Sequence, residues 1–186
     1  SLQLGSKNRG FSYRSEGPLD MRFDQSNGSG AGKLIDQTDR NSLTQIFKEY
    51  GEERLAFRIA KSIKEMTAMN TIADLREAIR RCTPPNHRDR TFARIFQSLR
   101  IAVNEELDIL QQFLAKFIDF LRPGGRIVII SYHSLEDRLV KHSFKELASG
   151  GTLEILTKRP ITATEKERKN NRRAGSAKLR AAVKVA

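Results

Sequence analysis

Two short stretches gather side chains able to handle protons and anions. The first, "GPLDMR" at 17–22, sets Asp20 two residues before Arg22, behind a Gly-Pro pair. A carboxylate placed there can accept a hydrogen bond from an amine, and the guanidinium can hold a phosphate. The same residues also fit a Gly-Pro turn whose Asp caps a helix and whose Arg pairs with it. The second stretch, "SYHSLEDR" at 131–138, follows the apolar run "RIVII". Ligands of open α/β sheets lie beyond the carboxyl ends of the strands, where His133 falls. Ser134 with Asp137 three residues on reads as a helix cap, and Glu136 and Arg138 as that helix's exposed face. His133 is then left to face a cleft, or to serve as a structural histidine.

A third group is basic. Between 158 and 180 stand Lys158, Arg159, Lys166, Arg168, Lys169, Arg172, Arg173, Lys178 and Arg180, with few acids among them. The whole chain of 186 residues carries 34 Lys plus Arg against 22 Asp plus Glu, a formal charge of +12. Such an excess favours an anionic partner, nucleic acid foremost, through contacts that position a phosphate backbone without reading its sequence. A solvated charged loop is the plain alternative. Phe11, Tyr13 and Tyr132 are the aromatics available to stack on bases.

Other features exclude more than they promise. "GSGAGK" at 28–33 resembles a phosphate-binding loop, yet Asn27 stands where the pattern needs Gly and Leu34 where it needs Ser or Thr. No metal is required by any cluster. One cysteine, Cys82, permits no disulfide within the chain and suits a reducing, cytoplasmic location. No apolar run is long enough to span a bilayer and no signal peptide is evident.

The elements that must position these groups follow from periodicity. Residues 1–40 read as loop with at most a short turn of helix. "NSLTQIFKEYG", "EERLAFRIAKSIKEM" and "TIADLREAIRRC" are three amphipathic helices, the last capped by Asn70 or Thr71 and stopped by Pro84–Pro85. A long helical stretch from Thr91 to Leu121 follows, with a break near Ile101–Asn104. "RPGG" is a tight turn, and "RIVIISYH" a strand buried on both faces, as in a parallel sheet. A helix, the strand "TLEILTK", a basic loop and the strand "AKLRAAVKV" complete the chain. The class is α/β, a pattern like the final third of a Rossmann-like sheet.

Five stretches in order carry a resemblance over nearly the whole chain: "RGFSYRSEGPLDMRFD", "FKEYGEERLAFRIAKSI", "IFQSLRIAVNEEL", "LRPGGRIVIISYHSLEDRLVK" and "KRPIT…AGSAKLRAA". Together they resemble the bacterial MraW/RsmH family, S-adenosylmethionine-dependent enzymes that methylate N4 of a cytidine in 16S ribosomal RNA. The resemblance implies a class I methyltransferase sheet interrupted by an all-helical subdomain. It implies three segments: 1–13 as the end of the cofactor-binding part, 14–95 as the helical insertion lining the RNA cleft, and 96–186 as the C-terminal part of the sheet domain.

The family's first hundred or so residues, with their Gly-rich cofactor loop, have no counterpart here. "SLQL" is similar to the end of a cofactor-contacting stretch, so Gln3 alone matches such a position. The resemblance thus implies S-adenosylmethionine as cofactor, 16S ribosomal RNA or the small ribosomal subunit as partner, and little activity in this chain alone. Asp20 and then His133 are the candidates to accept the cytosine amine's proton. Arg22, Lys158, Arg159, Arg172, Arg173, Lys178 and Arg180 are the candidates for RNA phosphates. A catalytically silent RNA-binding module is the competing reading. Oligomeric state is not legible.

Overall fold

The computed structural model describes residues 9–185, so Gln3 lies outside the described residues. The chain divides into two compact units, residues 1–106 and 107–186.

The first unit is helical: α1 (Ala31–Gln37), α2 (Arg40–Glu49), α3 (Ala56–Lys64), α4 (Ile72–Cys82) and α5 (Arg88–Asn104). Two of the starts have a local cause in a side-chain cap. Asp39 caps α2 by accepting from the amides of Asn41 and Ser42, and Thr71 with Asp74 forms a reciprocal capping box on α4. The apolar stripes then meet. Leu43 and Phe47 of α2, Ile59 and Ile63 of α3, Leu75 and Ile79 of α4, and Ile95 and Leu99 of α5 share one core. Removing any of these large side chains costs about 2–5 kcal/mol.

One sequence expectation changes here and another is met. Residues 1–40 hold more helix than a short turn, because α1 begins inside the glycine-rich "GSGAGK" stretch. Its glycines permit close packing: a Cβ on Gly32 would come within 2.7 Å of the Met69 carbonyl oxygen. The long helical stretch divides into two close to the expected break. α5 ends at Asn104, Glu105 takes a left-handed conformation (φ 50°), and α6 (Glu106–Lys116) follows.

In the second unit α6 and a 3₁₀ turn at Phe117–Phe120 precede β1 (Arg126–Ser131), α7 (Ser134–Ser149), β2 (Leu153–Ile155), β3 (Ile161–Thr162), α8 (Glu165–Asn170) and β4 (Lys178–Lys184). β4 is the centre of the sheet. β1 pairs with one side of it, Val128 opposite Ala181, while β2 and β3 share the other. Leu114, Phe117, Val140, Phe144, Leu153 and Ala182 form the core of this unit.

All these pairings are antiparallel, against the parallel arrangement read from "RIVIIS". Nor is β1 buried on both faces: Val128 is 58% and Ile130 51% exposed. Its β-branched run is suited to double burial, but among the described residues of this unit nothing covers those two side chains. The basic loop also proves partly ordered, since it contains β3, α8 capped by Thr164, and a 3₁₀ turn at Arg172–Ser176.

Candidate active-site loop and nucleic-acid interface

The segment 17–23 is a loop fastened by its backbone. The Leu19 amide donates to the Asn70 carbonyl at 2.9 Å, and the Ile72 amide to the Gly17 carbonyl at 3.1 Å. On its other side the amides of Ala31 and Gly32 donate to the carbonyls of Asp20 and Leu19 at 2.7 and 2.8 Å. Leu19 and Met21 point into the core while Asp20 and Arg22 point away from it. Met21 has φ 63°, a left-handed conformation that costs about 1–2 kcal/mol for a non-glycine residue. It is held there on both sides, by its amide donating to the Arg9 carbonyl at 2.8 Å and its carbonyl accepting from the Asn104 amide at 2.7 Å.

Asp20 and Arg22 meet fork to fork. Arg22 Nε donates to Oδ1 at 2.8 Å and Nη2 to Oδ2 at 2.9 Å, and the Arg22 backbone amide adds a bond to Oδ1 at 3.0 Å. Gln25 Nε2 completes the set on Oδ2 at 3.2 Å. These bonds, those from the Arg22 side chain first, hold the Asp20 pKa down at about 2 against the opposing effect of burial. Arg22 Nη1 is also engaged, donating to the carbonyls of Gln25 and Gly28. The pairing half of the structural reading of "GPLDMR" is therefore observed, but Asp20 caps no helix: Gly30 is the N-cap of α1. Two of the expected stacking aromatics are used internally, Phe11 against Phe23 and Tyr13 against Phe92. Tyr132 is 53% exposed.

In the second unit the cap of α7 is one residue earlier than read from sequence. His133, not Ser134, is the N-cap. Its Nδ1 accepts from the Glu136 amide at 3.4 Å, and the Glu136 carboxylate accepts from the amides of Tyr132 and His133. Glu136, at N3, is thus the capping acid in place of Asp137. A ring nitrogen at the right reach substitutes for the usual hydroxyl, which the Ser/Thr rule does not anticipate. His133 Nε2 lies 3.4 Å from Glu136 Oε1.

Asp137 is taken up elsewhere. Arg180 Nε donates to its Oδ1 at 2.7 Å and Nη2 to its Oδ2 at 3.2 Å, and Lys178 Nζ reaches Oδ2 at 3.3 Å. Burial alone would raise the Asp137 pKa, but the bonds from Arg180 and Lys178 outweigh it and hold the carboxyl below its ordinary value. Arg180 is only 7% exposed, so that guanidinium is withdrawn from any phosphate at the surface. Lys158, Arg159, Arg172 and Arg173 are exposed. Asn104 is the position sequence reasoning missed; a polar residue closing an apolar helix was its one visible signal.

Comparison with known sequences shows a family of methylases. It belongs to the MraW methylase family, whose sequence model matches residues 1–185. It is similar to the ribosomal RNA small subunit methyltransferase H of Synechocystis sp., 48% identical over 188 residues, with 100% of this chain and 61% of that protein covered. The proteins of the same name from Trichormus variabilis and Kosmotoga olearia are 49% and 48% identical, each over 100% of this chain, with 61% and 63% of their own length covered. The chain thus spans about three-fifths of the length of these relatives. Among the described residues no helix is long and apolar enough to cross a membrane.

Proposed function

We propose that this chain supplies the substrate side of a reaction that transfers a methyl group from S-adenosylmethionine to N4 of a cytidine in small-subunit ribosomal RNA. The observation that carries this reading is the Asp20 carboxylate, fixed at the surface of a fastened loop with one acceptor position held by the Gln25 amide. That NH2 group is chemically similar to the exocyclic amine of cytosine, and at 3.2 Å it makes the longest of the bonds to Asp20. A cytosine amine takes its place. The amine's lone pair is delocalised into the ring, so it must be held and its N–H bond accepted as positive charge develops. A carboxyl group with a pKa of about 2 is ionised throughout and accepts that bond without retaining the proton. His133 is the second candidate for the same role.

Neither of two cavities among the described residues suits the cofactor. S-adenosylmethionine is a sulfonium cation. A cavity of about 530 Å³ in the second unit is lined by Lys141, Lys145, Lys158 and Arg180 against Glu154, and one of about 430 Å³ in the first by four arginines against Glu53. Each lining carries a net positive charge, which disfavours a cation. The reading therefore assigns this chain the RNA and the amine, with Arg22 ordering the loop and Lys158, Arg159, Arg172 and Arg173 contacting phosphate. It takes the second unit as part of a Rossmann-like sheet domain with the helices of the first inserted into it; the uncovered Val128 and Ile130 support that.

The test joins this chain to the portion of the Synechocystis relative that lies outside the matched stretch. The joined protein is then supplied with unmodified small-subunit ribosomal RNA and methyl-labelled S-adenosylmethionine. N4-methylcytidine in the digested RNA is the expected product. Label on another atom sinks the reading. RNA binding without any transfer would favour the silent binding module.

A further inference from the structure

The cavity of about 430 Å³ in the helical unit is unusual for its charge. Arg90 and Arg94 lie four apart on α5 and so share a helix face, while Arg54 stands in the turn before α3 and Arg58 in its first turn. All four arginines line the one cavity, and His87 joins them. The acid among them is Glu53, only 5% exposed. Its Oε1 accepts from the Leu55 amide at 2.9 Å, and its Oε2 lies 3.7 Å from Arg94 Nη1 with no hydrogen-bond partner. Glu53 therefore steadies Arg94 and offsets one positive charge of the four. Among the described residues the side chains of Arg54, Arg58 and Arg90 make no hydrogen bond, ion pair or ring contact.

Several guanidiniums facing one space repel one another unless an anion joins them. Their planar forks match phosphate oxygens, two donors at a time. The volume falls within the range of small-ligand sites. A cavity left net positive by three unpaired arginines is a site for a phosphate group rather than for a metal, a sulfonium or an apolar ligand.

We propose that Arg54, Arg58, Arg90 and Arg94 form a binding pocket for the phosphate backbone of an RNA strand, separate from the Asp20 loop and from the basic segment 158–180. The proposal rests on the reading of ribosomal RNA as substrate and deepens it. The pocket gives the helical unit its own grip on RNA and fixes the register in which a cytidine is offered to the loop.

The experiment measures binding of a fluorescent hairpin from small-subunit ribosomal RNA to the 186-residue chain, by anisotropy, over a range of salt concentrations. The Arg58→Gln/Arg90→Gln variant, both positions being exposed, is expected to keep its circular dichroism and melting temperature. Its plot of log K against log[salt] is expected to be shallower by about 1.8 for duplex contacts or about 1.4 for single-stranded ones. Arg58→Lys/Arg90→Lys, which keeps charge without the fork, is expected to restore the slope but not the full affinity. RNA binding with an unchanged slope in the glutamine variant overturns the pocket and leaves the functional reading intact. If inorganic pyrophosphate raises the parent's melting temperature while that slope stays unchanged, the site takes free phosphate and the RNA proposal is wrong. Loss of slope upon an acidic peptide in place of RNA, with no RNA binding by the parent, overturns both this proposal and the substrate reading.

Discussion

The side-chain amide of Asn104 closes a clamp on Met21, donating to its carbonyl at 2.7 Å while accepting from the Phe23 amide at 2.7 Å. A residue at the end of α5 thereby holds the backbone on both sides of Arg22, over eighty residues earlier in the chain. Asn104→Ala leaves a carbonyl and an amide unsatisfied and is expected to cost roughly 1–3 kcal/mol. Urea unfolding read by circular dichroism checks it. In the joined protein the same change is expected to lower turnover through a displaced Asp20, because the loop's left-handed residue loses one of its two restraints. An unchanged urea midpoint would show that the clamp carries no load.

Acid should loosen the loop in a defined window. The Asp20 carboxyl is held at about 2 in the folded chain, below its ordinary 3.8. Its contribution is therefore complete above pH ~4 and lost as pH falls towards ~2, about 2 kcal/mol in all. Asp20→Asn is expected to be less stable than the parent at pH 7, with the gap narrowing below pH ~4. In the joined protein this variant is expected to lose about 100-fold or more in turnover at pH 7. A gap that persists at pH ~2 would mean that the pair contributes nothing through ionisation.

The buried pair in the second unit makes a different prediction. Asp137 and Arg180 are 8% and 7% exposed. Asp137→Ala leaves a buried guanidinium without its partner and is expected to cost about 3–5 kcal/mol. The double change Asp137→Leu/Arg180→Met is expected to recover much of that loss, since no charge remains buried. Equal losses in the single and double variants would contradict this account. RNA affinity per folded molecule should respond to Arg172→Gln/Arg173→Gln and not to Arg180→Met.

His133 can be separated into its two candidate roles. His133→Ala removes the cap of α7 and is expected to cost about 1 kcal/mol. His133→Asn supplies another capping acceptor and is expected to keep the stability. In the joined protein the Asn variant is expected to lose at least about tenfold in turnover if the ring meets the substrate. Full turnover in a stable Asn variant would leave His133 as a cap alone.

Legibility followed the range of the interaction. The helices α2, α3 and α4 could be read directly, because capping and amphipathic spacing act within a few residues; Thr71 with Asp74 is one such case. The break after α5 was located within a few residues of its true place. The cap of α7 was misplaced by one position, because His133 and Ser134 can each accept and only the backbone geometry selects between them. The glycines of "GSGAGK" could be refused as a phosphate loop, but their actual use, close approach of α1 to the chain at Met69, depends on a distant partner.

Helical periodicity, positive charge, motif order and, through it, family membership were legible from the residues alone. Those properties are local or summed, and no contact has to be known to state them. Packing selected the Asp20–Arg22 pair, with Gln25 beside it, from the two readings open to "GPLDMR", and it alone showed that Asn104 clamps Met21 and that Arg180 serves Asp137 instead of the surface. It also decided that the strand "RIVIIS" pairs antiparallel with the last strand of the chain. Each of these joins groups whose partner is chosen by packing, and a lone Asp, Asn or Arg carries no mark of which partner it will meet.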